Sequence, residues 1–391
     1  MNGNMSIFGY DTRSLRSALV MRAVDLLNPF KRTSELDWRA PVVVSSVAGL
    51  GDLFIHLPLI SGIVNACRKN TMAVSVALRP AHLEIGAKCG WDVFPFDNGL
   101  EDYFKSPRKL RLSPLIRGIA FHHPAETWID LTGSAVSALA IKAAGAKRIA
   151  ARITRGGRSL IDHPLPHAVQ ENEYANRDRV AEHLGVDVDL TLANRWPVDT
   201  SAEVVVCLTT ASRWKNWPLQ NFRQLIERFP QTRFTVVGFR REVLAAEFRA
   251  LDVITRYPNV SNQLDKLSAM ELVDLIARSR AVVSNDTSAA HIANFFGKPG
   301  AVLFGPVSPK TFAAPNGLRV FHDATCPLHP CVQWRCDNQT NWCMRKISVD
   351  HVAAHLADVL GFNARSTSSL AEPSLRAPNE PDWQRQAQLP V

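Results

Sequence analysis

The chain has 391 residues, 46% hydrophobic and 21% charged, which allows about two domains that each bury a core. No run in it approaches the roughly 20 apolar residues of a membrane span, and the N-terminus lacks the charged-apolar-small order of a secretory signal, so cytoplasmic residence is expected. The formal net charge is +9, and all of that excess falls between Lys105 and Arg158, where the acidic residues Glu126 and Asp130 are outnumbered by eleven basic ones.

Residues 1–40 carry little β signal. Leu15, Leu19, Ala23, Leu26 and Phe30 recur at helical spacing with Arg13, Arg16, Arg22, Lys31 and Arg32 around them. An interfacial membrane helix fits this pattern; an appended helix docked on the body, or a frayed tail, is the commoner form and the expected one. Apolar runs then predict strands over 42–47, 73–78, 93–96 and 127–131, with helical patterns through Ile60 and Val64 and over 134–144. The basic face that follows attracts phosphates or anionic lipid, or is simply solvated; no groove-reading motif accompanies it, so nucleic acid is not expected as a partner.

The pattern restarts after Asn194-Arg195-Trp196-Pro197. Strands are expected over 204–209, 234–238, 281–285 and 301–304, and helices over 219–229, 241–251, 269–279 and 289–296. Ser268 and Glu271 form an S-x-x-E capping box at one helix start. Residues 364–391, rich in Ser, Pro and Gln, read as disordered. Strands alternating with helices imply an α/β fold of two Rossmann-like domains with parallel sheets facing a central cleft. The divisions are an extension over 1–40, one domain over 41–195, a second over 196–362 and a tail over 363–391.

Three segments carry chemistry. In V-V-V-S-S-V-A-G-L-G-D, residues 42–52, a strand runs into a glycine turn and then a helix start. Gly49 and Gly51 let the backbone approach a ligand closely. Asp52 at that mouth would take a proton from an acceptor hydroxyl, or would cap the helix. Phe54 stands where a dinucleotide fingerprint needs its third glycine, which disfavours a nicotinamide dehydrogenase.

In residues 281–306 a buried strand ends in Asn285-Asp286-Thr287-Ser288 and a helix carrying His291 follows at once. The N–H groups of residues 287–289, with the Thr287 and Ser288 hydroxyls, would face an anion. Asp286 would bond sugar hydroxyls or serve as a cap, and His291 would lie near phosphates or in the core. In T-T-A-S-R-W-K-N-W-P, residues 209–218, Lys215 would neutralise a diphosphate with help from Thr209 and Thr210, or would be a surface charge beside two tryptophans.

Together these segments resemble glycosyltransferase family nine, the ADP-heptose:lipopolysaccharide heptosyltransferases and their relatives, over about residues 41–360. The resemblance implies a GT-B fold, with acceptor in the N-terminal domain and nucleotide-sugar donor in the C-terminal one. It assigns the general base to Asp52, the leaving-group lysine to Lys215 and the ribose-holding acid to Glu242. Asp286, Thr287, Ser288 and His291 would meet the donor's phosphates and sugar. The expected reaction is an inverting transfer that needs no catalytic metal or cofactor, since the lysine and backbone dipoles can meet the leaving charge, and the basic 105–158 stretch would face an anionic glycolipid or glycan acceptor or the inner membrane surface. Two departures bear on the sugar: Ser288 replaces the glycine of the usual D-T-G, and G-L-G-D replaces S-x-G-D. Both count against heptose without weakening sugar transfer.

Of the seven cysteines, Cys67, Cys89 and Cys207 read as buried apolar residues, whereas Cys326, Cys331, Cys336 and Cys343 crowd together near His322 and His329. Four thiolates there could hold structural Zn or Fe, and buried thiols without metal are the other reading. Two functional rivals remain open: a sugar-nucleotide epimerase of the same architecture, which needs no acceptor, and a non-catalytic sugar-nucleotide or glycan-binding module.

Overall fold

A computed structural model describes residues 42–97, 121, 123, 125–152, 158–168, 171–197, 203–331, 336, 338 and 340–362. The expected N-terminal helix, the C-terminal tail and six of the eleven basic residues between Lys105 and Arg158 lie outside these residues.

The first half runs β1 (Val42–Ser46), α1 (Leu50–Lys69), β2 (Val74–Leu78), α2 (Leu83–Lys88), β3 (Val93–Pro95), β4 (Thr127–Asp130), α3 (Ala135–Ala143), β5 (Arg148–Arg152), β6 (His163–Leu165) and α4 (Glu173–Leu184). The second runs β7 (Val204–Cys207), α5 (Leu219–Glu227), β8 (Phe234–Val237), α6 (Phe248–Ile254), β9 (Val260–Asn262), α7 (Ala269–Arg278), β10 (Ala281–Asn285), α8 (Ser288–Phe295), β11 (Gly300–Phe304), α9 (Pro309–Phe312), β12 (Arg319–His322), α10 (Trp342–Lys346) and α11 (Val349–Val359).

Each half folds into a six-stranded sheet, ordered β3-β2-β1-β4-β5-β6 in the first and β12-β11-β10-β7-β8-β9 in the second. All pairings are parallel. Counted from its own first strand, each sheet has the doubly wound order, with chain direction across the sheet reversing between β1 and β4 and between β7 and β10. Ligands of such sheets bind at the carboxyl ends of the strands beside those reversals, where Gly49 to Asp52, Thr209 to Lys215 and Asp286 to His291 all lie.

The central strands β1, β7, β10 and β11 are buried along their whole length. Helices cover both faces of a parallel sheet, which is why these strands read as unbroken apolar runs rather than alternating ones. β3, β6, β9 and β12 are short edge strands with polar or exposed positions, and the last three carried no apolar signal. The helix expected over 241–251 is instead two 3₁₀ turns, at Arg240–Glu242 and Ala245–Glu247, followed by α6. Phe239, Leu244 and Phe248, which imitate a helical stripe there, are exposed.

α1 also corrects an expectation, because it is long and apolar enough to cross a membrane, although 72% of that stretch is buried inside the protein. It is apolar nearly all round because it lies between its own sheet and the second half. Phe54 meets Phe295 edge-on at 5.3 Å, and Trp196 from the interdomain connection stacks its edge against Phe295 and Phe296 at 6.0 and 5.5 Å. One continuous apolar cluster therefore joins the halves, and it holds the two strand-end rims against each other.

Candidate active site

The rims meet where the two glycine- and serine-bearing turns touch. A side chain added at Gly51 would place its Cβ 2.9 Å from His291 Cδ2 and 3.4 Å from the Ser288 Cα. Only a residue without a Cβ lets the start of α1 approach the start of α8 this closely. Asp52 stands on the third residue of α1 and accepts a hydrogen bond from Gly49 N–H at 3.2 Å through Oδ2. It is therefore both cap and cleft residue: Oδ1 makes no hydrogen bond among the described residues, and the side chain is partly exposed.

Burial raises the Asp52 carboxyl above its ordinary range and Glu173 adds to this, while His291, Arg152 and the Gly49 N–H work against it. His291 is buried on α8, and burial holds its imidazole below the ordinary value. Asp286 and Asp52 oppose that shift, and Lys215 reinforces it. An acid that tends to keep its proton thus faces a histidine that tends to stay neutral.

On the second rim Lys215 Nζ pairs with Asp286 Oδ2 at 2.6 Å, both side chains nearly enclosed. Lys215 is therefore no surface charge. Asn285, which the sequence marked only as part of a polar strand end, stitches this rim together. Its Oδ1 accepts from Trp217 N–H at 2.9 Å, and its Nδ2 donates to the Cys207 and Leu208 carbonyls at 3.3 and 3.1 Å. Thr287 caps α8 in an extended conformation, with no hydrogen bond from its side chain to the helix, which leaves its hydroxyl for the cleft.

Thr209 and Glu242 also come together. Thr209 Oγ1 donates to Glu242 Oε2 at 2.8 Å and accepts from Phe239 N–H at 2.9 Å. Gly238, at φ 134°, permits this approach, since a Cβ would lie 2.5 Å from Thr209 Oγ1. Burial raises the Glu242 carboxyl as well. Thr210 differs: its hydroxyl donates to the Ser212 carbonyl at 2.8 Å and accepts from Ser212 N–H, so it shapes the turn rather than facing the cleft.

Sequence reasoning missed the wall behind Asp52. Arg152 Nη1 pairs with Glu173 Oε2 at 2.8 Å with both side chains buried, and Nη2 donates to the Leu131 carbonyl. His56, one turn beyond Asp52 on α1, lies 3.2 Å from Ser46 Oγ through Nδ1. Burial, with Arg152, Arg177 and His167 adding to it, holds His56 well below its ordinary value. Tyr174 reaches His291, and Asn172 donates to the Lys310 and Ala313 carbonyls at 3.1 and 2.8 Å. Three consecutive residues at the start of α4 therefore bind Arg152, the second half and the cleft histidine. The only local hint was a polar helix start, because each partner is distant in sequence.

Of the two readings of the cysteines, metal site or buried thiols, the structure supports the second. Cys326, Cys336 and Cys343 are buried and Cys331 is half-buried; none of the four forms a disulfide. Burial pushes the Cys343 thiol up to about 12, and Cys336, Cys331 and Cys326 lie close enough to add to this. Among the described residues, however, no group of three or more His, Cys, Asp or Glu side chains is arranged to hold a metal ion. His329 is engaged with the Gly305 carbonyl at 3.1 Å. A structural Zn or Fe at these thiols therefore has no support in the geometry.

Two doubly wound halves closed over a shared cleft, with the polar residues on facing strand-end rims, define a GT-B fold. A sequence model of glycosyltransferase family 9 (heptosyltransferase) matches residues 124–340, and the chain belongs to that family. Lipopolysaccharide heptosyltransferase 1 of Pseudomonas aeruginosa is 27% identical over 182 residues, which is 46% of this chain and 46% of that protein. Lipooligosaccharide heptosyltransferase 2 of Haemophilus ducreyi is 36% identical over 103 residues, 24% of this chain and 29% of that protein. The alignments thus span less than half the length of these curated relatives. The structure of heptosyltransferase WaaC from E. coli with ADP-2-deoxy-2-fluoro heptose superposes with a TM-score of 0.61 at 16% identity, covering 81% of this chain and 99% of that one. At that identity the likeness speaks for the fold alone.

Proposed function

We propose that the chain is an inverting glycosyltransferase that moves heptose or a related sugar from a nucleotide-diphosphate donor to a hydroxyl of a lipopolysaccharide-type glycolipid. The observation that carries this reading is the convergence of Asp52 from the first rim with His291 and the Lys215–Asp286 pair from the second.

In this mechanism the free Oδ1 of Asp52 takes the proton of the acceptor hydroxyl, whose oxygen attacks the anomeric carbon opposite the departing diphosphate. Enclosure in a low-dielectric cleft raises the basicity of Asp52. Charge develops on the leaving oxygen and is met by Lys215, which Asp286 holds at the rim, and by the first-turn N–H groups of α8. Thr287 and Ser288 add hydroxyl donors there, while Glu242, poised by Thr209, is placed to receive the ribose hydroxyls. The family supports ADP-heptose as the first donor to test. Ser288, standing at the start of α8 against Gly51, is where a related sugar would be distinguished.

Arg152 and Arg177, which both act on His56 behind Asp52, would favour an anionic acceptor at this rim. We place the enzyme in the cytoplasm at the inner face of the membrane, where such glycolipids would be reached. The test is incubation with ADP-heptose and a lipid-linked acceptor. Sugar transfer with release of ADP supports the reading. Conversion of the donor without acceptor would favour an epimerase. Donor binding without turnover, unchanged by Asp52→Ala, would favour a binding module.

A further inference from the structure

His291 ends a hydrogen-bond chain whose direction is fixed by the backbone. Leu318 N–H donates to Asn294 Oδ1 at 2.7 Å, so the amide of Asn294 is committed at its oxygen and its NH₂ is free to donate. The Asn294 side chain also acts on the Tyr174 phenol, favouring its ionised form as an N–H group beside the oxygen does. Tyr174 Oη lies 2.9 Å from His291 Nδ1, in a contact that is buried and crosses from the first half to the second. A phenol carries one proton. With Nδ1 at 2.9 Å and the Asn294 amide favouring negative charge on the oxygen, that proton is directed to Nδ1, and burial, which pushes the phenol up to about 12, keeps it there.

An imidazole that accepts at Nδ1 and is neutral must carry its own proton on Nε2. The groups facing His291 are Asp52 from α1, Asp286 and Lys215 from the second rim, and Tyr174 from α4. Nε2 is the nitrogen on the Gly51 side, 3.7 Å from where a Cβ on that residue would stand. The chain of bonds thus delivers one N–H to the point where the start of α1, bearing Asp52, meets the start of α8.

We propose that Tyr174 is a positioning residue: from the first half it locks His291 of the second in the Nε2–H form, so that the cleft presents an N–H donor to anionic oxygen only while the halves are closed. The use of that N–H in sugar transfer rests on the reading above; the tautomer lock rests on the hydrogen-bond chain alone. Asn172, which ties the start of α4 to the carbonyls of Lys310 and Ala313, keeps Tyr174 in reach.

The experiment is ¹⁵N NMR of the full chain labelled at the histidine ring nitrogens, for the wild type, Tyr174→Phe and Asn294→Asp, with turnover measured alongside. Tyr174→Phe removes the donor to Nδ1. Asn294→Asp keeps an acceptor for Leu318 N–H but replaces the donating NH₂ with a carboxylate, which captures the phenol proton and reverses the chain. The wild type is expected to show the proton on Nε2, Tyr174→Phe a mixture of forms, and Asn294→Asp the proton on Nδ1. Both variants should lower kcat about three- to tenfold, the worth of one neutral hydrogen bond, with a smaller change in donor KM. A wild-type ring protonated on Nδ1, or a tautomer unchanged in both variants, would overturn the proposal. If the wild type transferred no sugar, the transfer reading would fail while the ring signals still decided the lock.

Discussion

The two halves share one strand order but treat their charges differently. On the second rim each cleft charge has a partner: Lys215 with Asp286 at 2.6 Å, and Glu242 with Thr209 at 2.8 Å. On the first rim Asp52 makes no ion pair among the described residues and holds only the Gly49 N–H, while the buried Arg152–Glu173 pair stands behind it. A preorganised rim suits binding, because its dipoles and charges need no rearrangement when a ligand's charge arrives. A carboxylate left under-compensated suits proton abstraction, because its proton affinity is raised.

If that contrast is right, Asp52→Asn has the largest effect. It should lower kcat by about 10²- to 10⁴-fold, as expected for loss of a general base, with donor affinity nearly unchanged in a calorimetric titration. Its stability should move the other way. Native Asp52 holds its proton where the unfolded chain has lost it, so its ionisation makes stability fall as pH rises from the ordinary carboxylate range through the raised value. The variant lacks that penalty, and its melting temperature above that window should exceed the wild type's.

Lys215→Met breaks the comparison from the other side. It should lower kcat by about 10²-fold, in line with removal of a charge-stabilising donor, and should weaken donor binding too, since Asp286 is left facing the diphosphate alone. Equal donor affinity in wild type and variant would sink the assignment of this rim to the donor.

Glu173→Gln probes the wall behind the base. Breaking a buried ion pair costs about 3–5 kcal/mol, readable as a lower urea midpoint. It should also shift the acid limb of kcat/KM to lower pH, because Glu173 raises Asp52 and the released Arg152 lowers it further. An unmoved limb would mean that the limb does not report Asp52.

Gly51→Ala is the mildest of the four. Its Cβ must displace His291 Cδ2 from 2.9 Å, a small-to-large change worth about 1–3 kcal/mol where neighbours are tightly packed. A loss of activity exceeding the loss of stability would show that the approach of α1 to α8 is itself needed for turnover.

Much of the architecture was legible because buried parallel strands announce themselves: β1, β7 and β10 are apolar runs ending in polar turns, and the Ser268–Glu271 box marks α7 as read. The candidate residues Asp52, Lys215, Asp286 and His291 were picked out because they stand on those turns, which the structure brings together. What escaped depended on long-range pairing. β5 begins and ends in arginine and reads as a surface segment until Arg152 finds Glu173. α4 is polar along much of its length, so nothing in its sequence foretells that Tyr174 reaches His291 across 117 positions. The single helix expected over 241–251 is broken into two 3₁₀ turns before α6, with Val243 and Leu251 buried but Leu244 and Phe248 left exposed. The cysteine spacing left a metal and buried thiols both open, and among the described residues no group of three or more side chains is arranged to hold an ion.

The central claim is that a desolvated carboxylate from the first rim deprotonates an acceptor hydroxyl, which attacks a sugar held by the second. The most direct measurement follows ADP release and glycolipid product from ADP-heptose with the wild type and Asp52→Asn, with and without acceptor. The account predicts an acceptor-dependent product of inverted anomeric configuration from the wild type, lost by at least about 10²-fold in the variant while donor binding persists. Equal turnover by both proteins, or donor conversion that ignores the acceptor, would contradict it.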